Sequence, residues 1–106
     1  MAASEGALVH EMMRKLRANG AYVEKNHGSP FSKGRPDLEG CFRGLFFAIE
    51  VKLPGGKPTA LQQYVLNEIE FAGGRSYLLY SVEELVELLD EWKKTLPQRP
   101  TSSESG

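Results

Sequence analysis

Asp37, Glu50 and Lys52 are the residues of this chain whose types and spacing could do chemistry. Phe46, Phe47, Ala48, Ile49 and Val51 suit a buried strand, yet Glu50 and Lys52 interrupt that apolar run. Side chains alternate along a strand, so Glu50 and Lys52 share one face while Ile49 and Val51 take the other. A second run, Asp37 to Phe42, precedes it, and Arg43-Gly44 between them reads as a two-residue hairpin turn. In that register Phe42 faces Leu45 and Asp37 faces Glu50, with Cβ atoms about 4.5–5.5 Å apart. Two carboxylates held that close repel. A hard divalent cation resolves the repulsion, because Mg2+ accepts one or two carboxylates and fills its other positions with water and phosphate oxygens. Lys52, on the same face, could then stabilise charge on a phosphate or orient an attacking water. The competing reading makes Glu50 and Lys52 the solvated end of a strand. Arg43 is also a poor residue for a type I′ turn, and a one-residue slip would carry Asp37 to the wrong face.

The segment before the first strand of the hairpin is Ser32-Lys33-Gly34-Arg35-Pro36. Pro36 fixes the approach of the chain, and Gly34 allows the backbone to come close to a ligand. Lys33 and Arg35 bring positive charge beside the two carboxylates, where a phosphodiester would lie, and Lys57 occupies the other flanking loop.

The elements that must position these residues follow from periodicity. Residues 7–18 read as an amphipathic helix with Leu8, Met12 and Leu16 in its stripe, stopped by Asn19-Gly20. Ala21 to Asn26, Asp37 to Phe42, Leu45 to Lys52 and Ser76 to Tyr80 read as strands. Thr59 is a plausible cap for a helix that buries Leu61, Val65, Leu66 and Ile69 and stops at Gly73-Gly74. Ser81 and Glu84 suggest a capping box for a last helix with Leu85, Leu88, Leu89 and Trp92 buried. The order is α-β-β-β-α-β-α, an α/β class with a mixed central sheet flanked by helices. Residues 7–96 form the expected domain, with a flexible N-terminus over 1–6 and a disordered tail over 97–106.

At 106 residues one domain is expected. The net charge is −1, but residues 1–80 carry a balance of +2 and residues 81–106 one of −3, so the first part could present a basic face. One cysteine excludes an internal disulfide and a cysteine-rich zinc site. No apolar run approaches the roughly 18 residues of a membrane helix, and the N-terminus lacks the order of a secretory signal. No membrane association and a cytoplasmic location are therefore expected. Cys41, Tyr64, Phe71, Tyr77, Tyr80 and Trp92 read as packing residues, and His10 and His27 as ordinary side chains of a helix and a loop. Met12, Met13 and Phe31 are left as apolar surface for a partner.

Gly34-Arg35-Pro36-Asp37-Leu38, then Phe47-Ala48-Ile49-Glu50-Val51-Lys52, then Thr59 with Gln62 resemble the PD-(D/E)XK nuclease superfamily, and within it the VRR-NUC family in its stand-alone phage or bacterial form. The resemblance spans about residues 8–90. It implies hydrolysis of DNA phosphodiesters with Mg2+ or Mn2+ in a bacterial or phage-infected cell. Asp37 and Glu50 would bind the metal, Val51 would add its carbonyl, and Lys52 would be the catalytic lysine. Glu11 on the first helix would match a further acidic ligand, and Gln62 the glutamine of the helix after the lysine strand. The substrate implied is branched DNA, a four-way Holliday junction cut by a homodimer. The alternatives are a flap, nicking or restriction-like nuclease, and a catalytically silent DNA-binding module.

Overall fold

A computed structural model of the chain describes residues 4–98. Helix α1 (Glu5–Ala18) starts at Ser4, whose hydroxyl accepts the Ala7 amide at 3.0 Å. The helix therefore begins two residues earlier than its apolar stripe suggests, and Glu5 and Gly6 are helical rather than a flexible lead. Residues 1–3 and 99–106, with most of the expected tail, lie outside the described residues. Strand β1 (Tyr22–Lys25) follows, then a single 3-10 turn at Pro30–Ser32, β2 (Leu38–Phe42), β3 (Leu45–Val51), α2 (Ala60–Phe71), β4 (Arg75–Leu79) and α3 (Val82–Thr95). The α-β-β-β-α-β-α order is the expected one.

The sheet runs β1-β2-β3-β4, antiparallel except for the β3–β4 pair, which α2 joins as a crossover. Phe42 pairs with Leu45 and Leu38 with Ile49, so the register that places Asp37 opposite Glu50 holds. Arg43 and Gly44 both adopt left-handed backbone (φ +49° and +86°), which makes the turn type I′ with no bulge. Arg43 tolerates that conformation because its guanidinium lies 5.1 Å from the Phe42 ring centre and donates to the Lys93 carbonyl at 3.4 Å.

One sheet face carries the main core. Val23, Leu38, Phe42, Phe47, Ile49 and Val51 meet α1 and α3 there. Trp92 is fully buried with Phe42, Phe47 and Tyr77 around it, and its indole N–H donates to the Tyr77 hydroxyl at 3.1 Å. Met12 and Met13 both belong to this core, because α1 packs on the sheet and on α3 at once. Neither supplies the partner surface expected of them.

The other face is only half covered. Helix α2 packs against β4 and buries Leu66, while Leu61 is exposed and Val65 and Ile69 are partly so. Cys41 is exposed, not packed as expected, because among the described residues no helix covers the β1–β2 side of this face, and Tyr64 and Phe71 of α2 are exposed as well.

Gly40 is required where it stands. A Cβ there would lie 2.9 Å from the Phe47 ring tip and would collide with the Tyr22 carbonyl of β1. Gly40→Ala is expected to lower stability by about 1–3 kcal/mol, as overpacking does. The urea midpoint should fall with an unchanged slope; an unaltered midpoint would mean that β1 yields freely.

Candidate active site

Asp37 closes the loop that enters β2, and Glu50 lies opposite it on β3. The Val51 amide donates to Asp37 Oδ2 at 2.8 Å, which ties the side chain of one strand to the backbone of the next. Asn26 holds the same turn from the end of β1. Its amide N–H donates to the Asp37 carbonyl at 2.9 Å, and its side-chain amide donates to the Pro36 carbonyl and, at 2.6 Å, to Glu39 Oε1. Arg35 pairs with that same Glu39 oxygen at 3.1 Å. Asn26 escaped the sequence reading, and its only signal there is a polar residue closing a strand just before His27-Gly28.

Glu50 is 2% exposed, and its Oε1 is buried with no hydrogen-bond partner among the described residues. Its Oε2 lies 3.5 Å from Lys52 Nζ. Burial, reinforced by the Asp37 charge and offset in part by Lys52, pushes the Glu50 pKa up to about 7. Burial also raises Asp37, against the Val51 hydrogen bond that favours its charged form. The charge of Glu5 raises Asp37 further. The α1 carboxylate whose charge reaches Asp37 is thus Glu5, in the first helical turn that periodicity alone did not place. Glu11 is exposed and borders a different depression of about 500 Å³, with Leu8, Leu53 and Tyr80.

Two desolvated carboxylates, one with an orphaned buried oxygen, form a hard oxygen-donor set that a divalent cation fits. No group of three or more His, Cys, Asp or Glu side chains suited to a metal occurs among the described residues. A pair of carboxylates completed by water and phosphate is the pattern Mg2+ commonly takes.

Beside Asp37 opens a cleft of about 410 Å³. Asp37 is the one carboxylate in its lining, against Lys33, Arg35 and His27. Gly34 (φ +82°) packs so tightly on α2 that a Cβ would lie 2.6 Å from Leu61 Cγ. This close approach sets the cleft wall beside Gln62, which also lines it. Gln62 completes a capping box: its side-chain Oε1 accepts the Thr59 N–H at 2.8 Å, and its backbone N–H donates to Thr59 Oγ1 at 3.1 Å. Only its side-chain NH2 faces further work. Lys57 is exposed but does not line the cleft.

A solved VRR_NUC domain matches this structure with a TM-score of 0.72, covering 86% of this chain and 99% of that one at 24% sequence identity. The fold is that of a VRR_NUC domain. No sequence-family model matches the chain, and no curated protein sequence does. The VRR_NUC fold agrees with the architecture that the Asp37, Glu50 and Lys52 motifs led one to expect.

Proposed function

We propose that the chain is a divalent-metal-dependent DNA endonuclease of the VRR-NUC type. The observation that carries this reading is half-buried Asp37 facing buried Glu50, with Lys52 beside Glu50 and a cleft at Asp37 edged by Lys33 and Arg35. In this reading Asp37 and Glu50 hold Mg2+ or Mn2+, with the Val51 carbonyl beside them. The charge of Glu5 bears on Asp37 from the first helix without making a third ligand of the pair. The ion supplies Lewis-acid chemistry at a phosphodiester oxygen. Lys52 neutralises Glu50 until substrate arrives and then donates to the reacting phosphate or holds the attacking water. The Gln62 NH2 group donates into the cleft and orients what lies there.

The substrate is branched DNA, a four-way junction in the first instance, cut by a two-fold dimer in the cytoplasm of a bacterial or phage-infected cell. Two copies related by a two-fold axis present two clefts for paired incisions. Exposed Phe31, Tyr64 and Phe71 offer apolar surface toward the roughly 800 Å² per partner of a standard interface. Among the described residues no helix is long and apolar enough to cross a membrane.

Labelled junction, flap, duplex and single-stranded DNA, incubated with Mg2+, with Mn2+ or with chelator, test the reading. Scission that needs the ion is expected; no scission of any DNA with either ion would overturn it. Sedimentation should report twice the chain mass. A monomer that cuts only flaps would remove the junction and leave the nuclease.

Neutralising Lys33, Arg35 or Lys57 to Ala should weaken binding to all sequences and lower the slope of log K against log salt by about one each. An unchanged slope in all three would place the phosphates elsewhere.

A further inference from the structure

The open half of the sheet adjoins the cleft. A depression of about 260 Å³ over β1 and β2 shares Asn26 and Arg35 with the cleft and ends at Tyr22, Cys41 and Phe46. Tyr22 pairs with Cys41, and Cys41 with Phe46, so the three form one row across neighbouring strands. Tyr22 is 64% and Phe46 43% exposed. Two strand spacings separate these aromatic residues, about 9.6 Å, with a small side chain between them. A planar base sandwiched between two rings needs roughly twice the 3.4 Å stacking interval, which this slot can supply once the rings lean inward.

Resting on the nuclease reading, we propose that this row is a stacking platform for an unpaired DNA base next to the cut. The strand leaves the basic cleft past Arg35 and lays a base between Tyr22 and Phe46. Four residue steps, about 13 Å, carry the chain from Asp37 to Cys41, which a single strand covers in about four nucleotides when stacked and fewer when extended.

The charge on the platform orients the strand. Glu24 and Glu39 form the row between the aromatics and the carboxylate pair, facing each other across β1 and β2. Glu24 accepts the Tyr22 hydroxyl at 3.2 Å, and Glu39 accepts from Asn26 and Arg35. Such carboxylates repel phosphates but accept from base amino groups, as Glu and Asp do with cytosine. The bases therefore face the sheet and the backbone faces water. Paired duplex has no free base to offer, so the platform selects DNA with an unpaired segment: a flap, a splayed arm or an opened branch point.

Binding of the chain in Ca2+ tests this without cleavage, using a blunt duplex and the same duplex with a short cytidine overhang. The overhang should raise affinity for the wild type, and Tyr22→Ala should cut that gain about 5- to 150-fold, the range of one base stacked on an aromatic ring. Duplex affinity should not change. Tyr22→Phe keeps the ring and should behave as wild type. An abasic overhang should erase the difference between wild type and Tyr22→Ala. Equal losses on duplex and overhang, or a gain that survives Tyr22→Ala, would overturn the platform. So would Tyr22→Ala dissolving a dimer in sedimentation with discrimination intact, since the row would then belong to a second copy. A protein that binds duplex without favouring the overhang loses only the platform, whereas one that binds no DNA loses the nuclease reading as well.

Discussion

Lys52→Ala is expected to slow strand cleavage about 10²–10³-fold, the cost of one donor aimed at transition-state charge. DNA affinity measured in Ca2+ should stay near wild type. The side chain is mostly enclosed, and its Nζ lies 3.5 Å from Glu50 Oε2, so a role at the carboxylate pair predicts a loss of rate and not of DNA affinity. It also lowers the Glu50 pKa, so its removal should shift the acid limb of the pH–rate profile to higher pH. Lys52→Arg keeps the charge with a bulkier head and should restore only part of the rate. A defect confined to affinity would instead make Lys52 a phosphate contact. Asp37→Asn should be inactive with either metal while remaining folded; wild-type cleavage by this variant in Mg2+ would remove Asp37 from the site.

The second large effect concerns the metal-free protein. Glu50 rises from its ordinary 4.5 to about 7 on folding, so between those values the folded chain binds more protons than the unfolded one. Stability in chelator must then fall as pH rises from about 5 to 8. A displacement of that size corresponds to about 3 kcal/mol, and Asp37 adds to it with the same sign. Glu50→Gln should flatten the profile and leave the variant more stable than wild type at pH 8. Mg2+ or Mn2+ should restore the wild type at pH 8 and do little for the variant. Denaturant midpoints across that pH range decide it; a flat wild-type profile would mean that Glu50 keeps an ordinary pKa.

The hairpin was legible in the sequence because it is local. Alternating burial and a two-residue turn determine that Asp37 meets Glu50, and Arg43 kept that register through contacts with Phe42 and Lys93 that no turn preference contains. The Thr59–Gln62 capping box was equally local. For α3 only half of the expected box formed: Ser81 accepts the Glu84 amide at 3.2 Å, but Glu84 caps the Tyr80 N–H. Contacts across the fold were not legible. Asn26 reaches Pro36 and Glu39 over a loop, and the charge of Glu5 reaches Asp37 from another layer. Cys41 and Phe71 have the composition of core residues, yet Phe71 is 92% exposed. Which half of a sheet α2 covers depends on crossover geometry that no single segment encodes.

The Arg43-Gly44 turn has a consequence for how the molecule comes into being. A two-residue connection closes within microseconds at low entropic cost, far sooner than the β3–β4 pairing that awaits α2. Asp37 and Glu50 sit at the open end of that earliest ladder, so their mutual repulsion opposes the last rungs of the hairpin before any core has formed. Protons, or a divalent ion if one binds here, would quiet this repulsion and so speed the folding of the hairpin. The corner that holds this carboxylate pair is thereby the gatekeeper of the hairpin during assembly.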